Sequence, residues 1–321
     1  MNSLSPSYLD RLSFSASQLS TLKRIGQFKG SQDLFTAQTP EVLETMRELA
    51  MVESTESSNR LEGIVASHAR VKGLVLKASQ PRNRAEKEIL GYRDVLNTIH
   101  QAYTGSGASP ETIPFSPNLI LQFHGMMSRY TDDPGGRWKS VDNEIVEKEP
   151  GGKVIRVRFK PVPAFKTAQA MTDLQDRYRR AMGPDQREAL LVAPLAILDF
   201  LCVHPFLDGN GRMSRLLTLL LLYHFGYRVG RFISLERLIE ETKETYYEVL
   251  QASSQGWHDA KHDPFPWLDY FWAILIRAYR EFEERVGTIS RKKGRKSEQV
   301  RLSVGRRIGP FSITDIEEDC P

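Results

Sequence analysis

His-Pro-Phe-Leu-Asp-Gly-Asn-Gly-Arg-Met-Ser-Arg, residues 204–215, stands between two apolar runs, Ala189–Val203 before it and Leu216–Phe225 after it. Pro205 cannot continue a helix, so the first run ends at His204 and a glycine-rich turn opens the second. A turn that enters a helix N-terminus leaves several backbone N–H groups unpaired and facing one spot, where the helix dipole favours an anion. Gly209 and Gly211 allow close approach to that backbone. Arg212 and Arg215, three apart, lie on neighbouring helix faces, and both can point at a polyphosphate. Asp208 supplies one hard oxygen ligand for Mg2+, an ion that keeps several waters and binds phosphate oxygens as well. His204 is the one group here able to act as a base at neutral pH. Singly, a His before Pro is more often a cap, Asp-Gly-Asn-Gly a surface turn, and an Arg pair a solvated face. Gathered between apolar helices, these residues form a phosphate-transfer site.

Outward from this stretch the pattern is helical. Thr39-Pro40 reads as an N-cap with proline at the first helical position, followed by Val42, Leu43, Met46, Leu49 and Ala50 at helical spacing. The pattern weakens over 53–57, and a short turn at 58–62 stops at Gly63. Further helices are expected around 64–78, 83–103, 116–129, 165–182, 187–203, 211–225, 235–254 and 265–286, while residues 1–38 are Ser-rich and weakly patterned. One strand pair is expected at about 140–147 and 153–160, turned by Gly151-Gly152, with Val154, Ile155, Val157 and Phe159 interleaved with Arg156, Arg158 and Lys160. The expected fold is all-α with one β-hairpin.

Composition agrees with a folded chain and excludes several classes. The 321 residues are 40% hydrophobic, 9% aromatic and 26% charged, unlike a disordered chain or a collagen-like fibre. Two cysteines, Cys202 and Cys320, cannot build a disulfide framework, and a reducing compartment is the simplest reading. The N-terminus lacks the pattern of a signal peptide, and the run 216–225 is too short to span a bilayer, so a cytoplasmic protein without membrane contact is expected. The net charge of +4 is unevenly spread: residues 291–307 carry +7, the last fourteen −4, and residues 1–290 only +1. The basic stretch reads as a solvated hinge or as a phosphate contact. His258 and His262 lie four apart but offer no further clear ligand, so no zinc is expected.

The stretch 204–215 resembles the Fic signature H-P-F-x-D/E-G-N-G-R-x-x-R at every defined position. The resemblance extends over roughly 40–280 and implies a mostly α-helical Fic fold that transfers AMP from ATP to a protein hydroxyl. It favours AMP transfer over the Doc-type kinases. Carried over, it implies that His204 takes the proton from a Tyr, Ser or Thr hydroxyl and that Asp208 holds Mg2+ on the α- and β-phosphates. Asn210, with the backbone of Gly209 to Arg212, would stabilise phosphate charge, Arg212 grip the phosphates, Arg215 reach the γ-phosphate, and Phe206 anchor the loop. The hairpin resembles the family's target-clamping flap, with Val141, Asp142, Asn143 and Glu144 as contact residues, or is a plain structural hairpin. Tyr246, Tyr247 and Leu250 resemble an adenine pocket, or are core residues.

Ser58-Asn59-Arg60-Leu61-Glu62-Gly63 is similar to the family's inhibitory S/T-x-x-x-E-G/N helix, here N-terminal to the catalytic motif. The resemblance implies that Glu62 pairs with Arg215 and misaligns ATP. It divides the chain into an N-terminal helical region (1–110) holding the inhibitory helix (about 57–63), a catalytic core (111–285), and a basic linker with the start of a winged helix-turn-helix (286–321). Implied partners are ATP, an unknown target protein and the chain itself. The alternatives are another nucleotide donor or AMP removal on the same site, DNA binding through the C-terminal region of a longer chain, and a homo-oligomer.

Overall fold

The computed structural model describes residues 3–306 apart from 39, 78, 104–111, 134 and 149–153; the side chains of 33–42 and 287–306 also lie outside the description. Along the chain run α1 (Pro6–Leu9), α2 (Ala16–Gln38), α3 (Pro40–Leu61), α4 (His68–Leu76), α5 (Arg84–Ala102) and α6 (Pro117–Ser128), then the strands β1 (Ile145–Lys148) and β2 (Val154–Phe159). After them come α7 (Thr167–Met182), α8 (Ala189–Val203), α9 (Asn210–His224), α10 (Leu235–Glu241), α11 (Lys243–Ser254) and α12 (Phe265–Arg306). The fold is mostly helical, and β1 and β2 pair antiparallel from Ile145↔Phe159 to Lys148↔Val154.

The expected helices form, except that the one expected over 235–254 is broken at Thr242 into α10 and α11, and three further regions differ. α3 is continuous through 53–57, where the apolar pattern fades, because it buries a polar stripe instead. Ser54 donates to Ser234 Oγ at 2.9 Å, Asn59 Nδ2 donates to Thr55 O at 2.7 Å, and Ser57 and Ser58 are buried with them. The weakly patterned N-terminal region is also structured, since α2 packs on α12 and Ser3, Leu4, Tyr8, Leu9 and Ile25 are buried. Finally, α12 runs unbroken to Arg306, so the basic stretch continues a helix rather than forming a hinge. The winged-helix start expected at the C-terminus lies outside the described residues. Among the described residues no helix is long and apolar enough to cross a membrane.

α8 is apolar on every side, so it forms the centre of the packing, set among α7, α9, α11 and α12. Its Pro194 has no N–H to give to Leu190 O. Trp272 Nε1 on α12 donates to that orphaned carbonyl at 2.9 Å, and Trp267 Nε1 donates to Pro194 O at 2.7 Å. Trp272→Phe removes the donor and leaves the carbonyl buried without it. We expect a loss of about 1–3 kcal/mol in urea unfolding, beyond any packing change. An unchanged midpoint would show that the carbonyl finds another partner.

α9 leaves the loop 204–209 and packs on α8 and on α3, α5 and α6. α3 therefore carries Ser58 to the flank of α9, and the chain beyond it turns at Gly63. Ile64 N–H reaches Asn59 O and Gly63 N–H reaches Arg60 O, both at 3.0 Å, with Gly63 at φ +79°. This Schellman closure requires the left-handed conformation that glycine takes freely, and it fixes where Glu62 stands.

Candidate active site

Pro205 forces His204 out of right-handed helical geometry, and His204 closes α8 in the left-handed region at φ +50°. A non-glycine residue there costs about 1–3 kcal/mol and persists only where its surroundings hold it. His204 N–H donates to Phe200 O at 2.9 Å, and its ring Nδ1 lies 3.2 Å from Leu201 O. A proton on Nδ1 satisfies that carbonyl and leaves Nε2 as the acceptor. Burial pushes the imidazole down to about 4, with Lys139 adding to the effect and the Leu201 carbonyl opposing it. The ring is therefore neutral, the form a proton acceptor needs.

Phe206 is fully buried and stacks on His124, ring centroids 3.7 Å apart, so it anchors the loop as expected. Asn210 ties the loop together: its Oδ1 accepts from Phe206 N–H at 3.0 Å and its Nδ2 donates one hydrogen to Phe206 O at 2.8 Å, and the residue also lines the second cavity described below. The anion nest is built from backbone: Gly209 takes φ +83° and α9 begins with Asn210, Gly211 and Arg212, whose N–H groups have no intrahelical acceptor. Asp208 is exposed; one carboxylate oxygen accepts from Gly209 N–H at 2.7 Å and the other lies 3.5 Å from the Arg212 guanidinium.

The two arginines part company, which corrects the expectation that both face one polyphosphate. Arg212 leans to α5 and pairs with Glu88 at 2.8 Å. It lines a cavity of about 280 Å³ together with Arg84, His124 and Lys139. Arg215 leans the other way, to α3, and is only 3% exposed. Its Nε donates to Ser58 Oγ at 2.8 Å and one terminal nitrogen donates to Ser58 O at 2.9 Å and Glu62 Oε1 at 2.7 Å. Burial disfavours the guanidinium charge, but the attraction and hydrogen bond of Glu62 together with the nearby Tyr246 and Tyr92 hold the pKa above the ordinary arginine value. Glu62 also covers Gly211, where an added Cβ would run into its Oε1.

A second cavity, about 220 Å³, opens between these groups. His204, Asp208, Gly209, Gly211, Arg215 and Glu62 form its polar end. Tyr247, Leu250 and Leu201 help form the apolar end, with buried Tyr246 beside them. Tyr246 is both core and wall, since its ring also packs on Trp267 and Tyr270. Tyr247 O–H donates to Leu61 O at 3.3 Å, which ties this wall to the end of α3.

The segment before β1 is divided. Val141 and Glu144 are exposed, whereas Asp142 accepts from Ala164 N–H at 2.7 Å and joins the two roots of the hairpin. Asn143 turns inward, its Nδ2 donating to Phe206 O at 2.9 Å and reaching His204 O at 3.4 Å. His258 and His262 do not converge: one contacts Lys160 O and the other Ser3 Oγ. Sequence reasoning missed Glu88, His124 and Lys139, which lie outside the motif and come to it only through the packing of α5, α6 and the stretch before β1.

Residues 114–222 match the model of the Fic/DOC family. That stretch, from α6 to most of α9, is similar to the Fic/DOC family. Family members are generally transferases that act on proteins. A Fic family protein from Desulfovibrio desulfuricans G20 superposes with a TM-score of 0.67 at 20% identity, over 96% of this chain and 85% of that one. A Fic domain-containing signaling protein from Bacteroides thetaiotaomicron gives 0.65 at 20% over 84% and 98%. Fic-1 from C. elegans gives 0.63 at 19% over 85% and 72%. At these identities the likeness concerns the fold. A Fido domain-containing protein of Dictyostelium discoideum is 34% identical over 59 residues, 18% of this chain, and the match spans 41% of that relative.

The buried neutral histidines make stability pH-dependent. Burial lowers His100 to about 3 and His204, His224 and His262 to about 4. Their folded values lie below the unfolded value, so their stabilisation is present above pH ~6.5 and is lost as pH falls toward about 4. Buried Asp199 and Glu236 are shifted up by burial and act in the opposite sense. We expect a lower urea midpoint at about pH 5 than at pH 7, because the histidines outnumber the acids. An equal or higher midpoint would contradict neutral burial of these rings.

Proposed function

We propose that this protein is an adenylyltransferase that moves AMP from ATP to a Tyr, Ser or Thr hydroxyl of target proteins and of itself, and that Glu62 restrains it. The observation that carries this reading is that His204, the α9 nest and Arg215 line one cavity, with Glu62 bound to Arg215 at 2.7 Å.

The adenine lies against Tyr247 and Leu250, and the phosphates reach the start of α9. The target oxygen attacks the α-phosphorus, the bond from that phosphorus to the bridging oxygen of the β-phosphate breaks, and pyrophosphate leaves. His204 Nε2 takes the hydroxyl proton. The Gly211 and Arg212 amides face the developing phosphate charge, already oriented by the helix. Arg215 binds the γ-phosphate once Glu62 has left it. Asp208 fits Mg2+: it is a single exposed carboxylate at the cavity mouth, suited to an ion that takes most of its ligands from phosphates and water. When bound, the ion would neutralise phosphate charge there.

Incubating Glu62→Gly protein separately with labelled ATP, UTP, GTP and CTP tests the donor. Incorporation from ATP above the others supports the reading; preference for another nucleotide overturns it.

A further inference from the structure

Every polar contact along the catalytic turn has a direction. Lys139 Nζ donates to Val203 O at 3.2 Å, and Lys139 N–H donates to Pro205 O at 2.8 Å. Asn143 Nδ2 serves the His204 and Phe206 carbonyls, and Asn210 Nδ2 adds a second bond to Phe206 O. His124 Nδ1 accepts from Gly136 N–H at 3.0 Å, so the ring proton sits on Nε2 and goes to Asp208 O at 3.1 Å. Five carbonyls of the turn, those of Val203, His204, Pro205, Phe206 and Asp208, are thus held by donors from outside the turn.

We infer that Lys139, Asn143 and His124 are positioning residues that grip the carbonyls of the 203–208 turn and so aim its imidazole and the α9 amides at the nucleotide cavity. The inference rests on the transfer reading for its effect on catalysis, though the grip itself does not. A carbonyl held from outside fixes the rotation of its peptide plane and so the path by which the turn enters α9. The left-handed conformation of His204 needs such an outside hold, since nothing in a non-glycine residue favours it. The three donors come from two places: the loop before β1 gives Lys139 and Asn143, and α6 gives His124. Lys139 is buried and is itself fixed by Asn143 Oδ1, 2.7 Å from its Nζ. Asn143 stands two residues before β1, so the root of the hairpin and the catalytic turn share one side chain.

The test uses the full chain in the Glu62→Gly background. Asn143→Asp keeps the shape and the Lys139 contact but cannot donate, and Lys139→Met keeps the stem and removes the ammonium. Displacing the turn should lower kcat about tenfold or more in each, with KM for ATP changed less than about threefold. Amide exchange across 203–209 should rise about tenfold or more in the same variants, with the exchange of α12 unchanged. A kcat within twofold of the parent, or unaltered exchange of the turn in a folded variant, overturns the inference. If the parent transfers nothing while exchange rises as expected, the grip stands and the transfer reading falls. If Asn143→Asp does not fold, Lys139→Met carries both measurements.

Discussion

In a Glu62→Gly background, His204→Ala is expected to reduce AMP transfer by about 10³-fold, the usual scale for a positioned general base. The ring is the proton acceptor that the 220 Å³ cavity offers at neutral pH, and its Nδ1 contact with Leu201 O leaves Nε2 free to accept. Alanine leaves the α9 amides and Arg215 in place, so ATP affinity measured by calorimetry should change by less than about threefold. Loss of chemistry without loss of binding would identify a group that acts at the transition state. Residual transfer within about tenfold of the parent would remove the base role from His204. The pH profile supports the same assignment. With the free ring lowered to about 4, a bound triphosphate raises it, because nearby negative charge favours the imidazolium. An NMR titration should therefore show an upward shift on nucleotide binding, and a downward shift would contradict the pocket assignment.

Glu62→Gly should raise self-modification about a hundredfold, equivalent to about 2.7 kcal/mol released at the site. Two features favour a large effect. Arg215 is almost fully buried and also donates to Ser58 Oγ and Ser58 O, so losing the carboxylate frees one N–H of the terminal nitrogen without freeing the side chain. Glu62 also covers Gly211 at the start of α9, where a phosphate oxygen would lie. The carboxylate is partly exposed, which limits the strength of the pair. Glu62→Gln should give an intermediate rate, since an amide can still accept from Arg215 but carries no charge. Equal rates in the parent and Glu62→Gly would end the restraint hypothesis.

Much of this site was legible because its parts are close in sequence. His204 and the α9 entry fall within twelve residues, and both the break at Pro205 and the glycines have direct backbone consequences. The Glu62–Arg215 contact crosses 153 positions and was legible only through resemblance of residues 58–63 to a known inhibitory helix. What could not be read depended on packing. Arg212 and Arg215 are equally available by spacing, but Glu88 on one side and Ser58 on the other draw them apart. That Asn210 also ties the Phe206 peptide to the start of α9 shows only in the folded loop. α2 and the middle of α3 escaped because the first has little amphipathic pattern and the second buries serines, threonine and asparagine on its contact face. Lys139 and His124 lie in segments with no motif at all.

The most direct test supplies Glu62→Gly protein with ATP labelled in one experiment at the α-phosphate and in another at the γ-phosphate. Covalent retention of the α label, with the γ label recovered in free pyrophosphate, is the predicted result. Retention of the γ label, or of neither, would contradict attack at the innermost phosphorus.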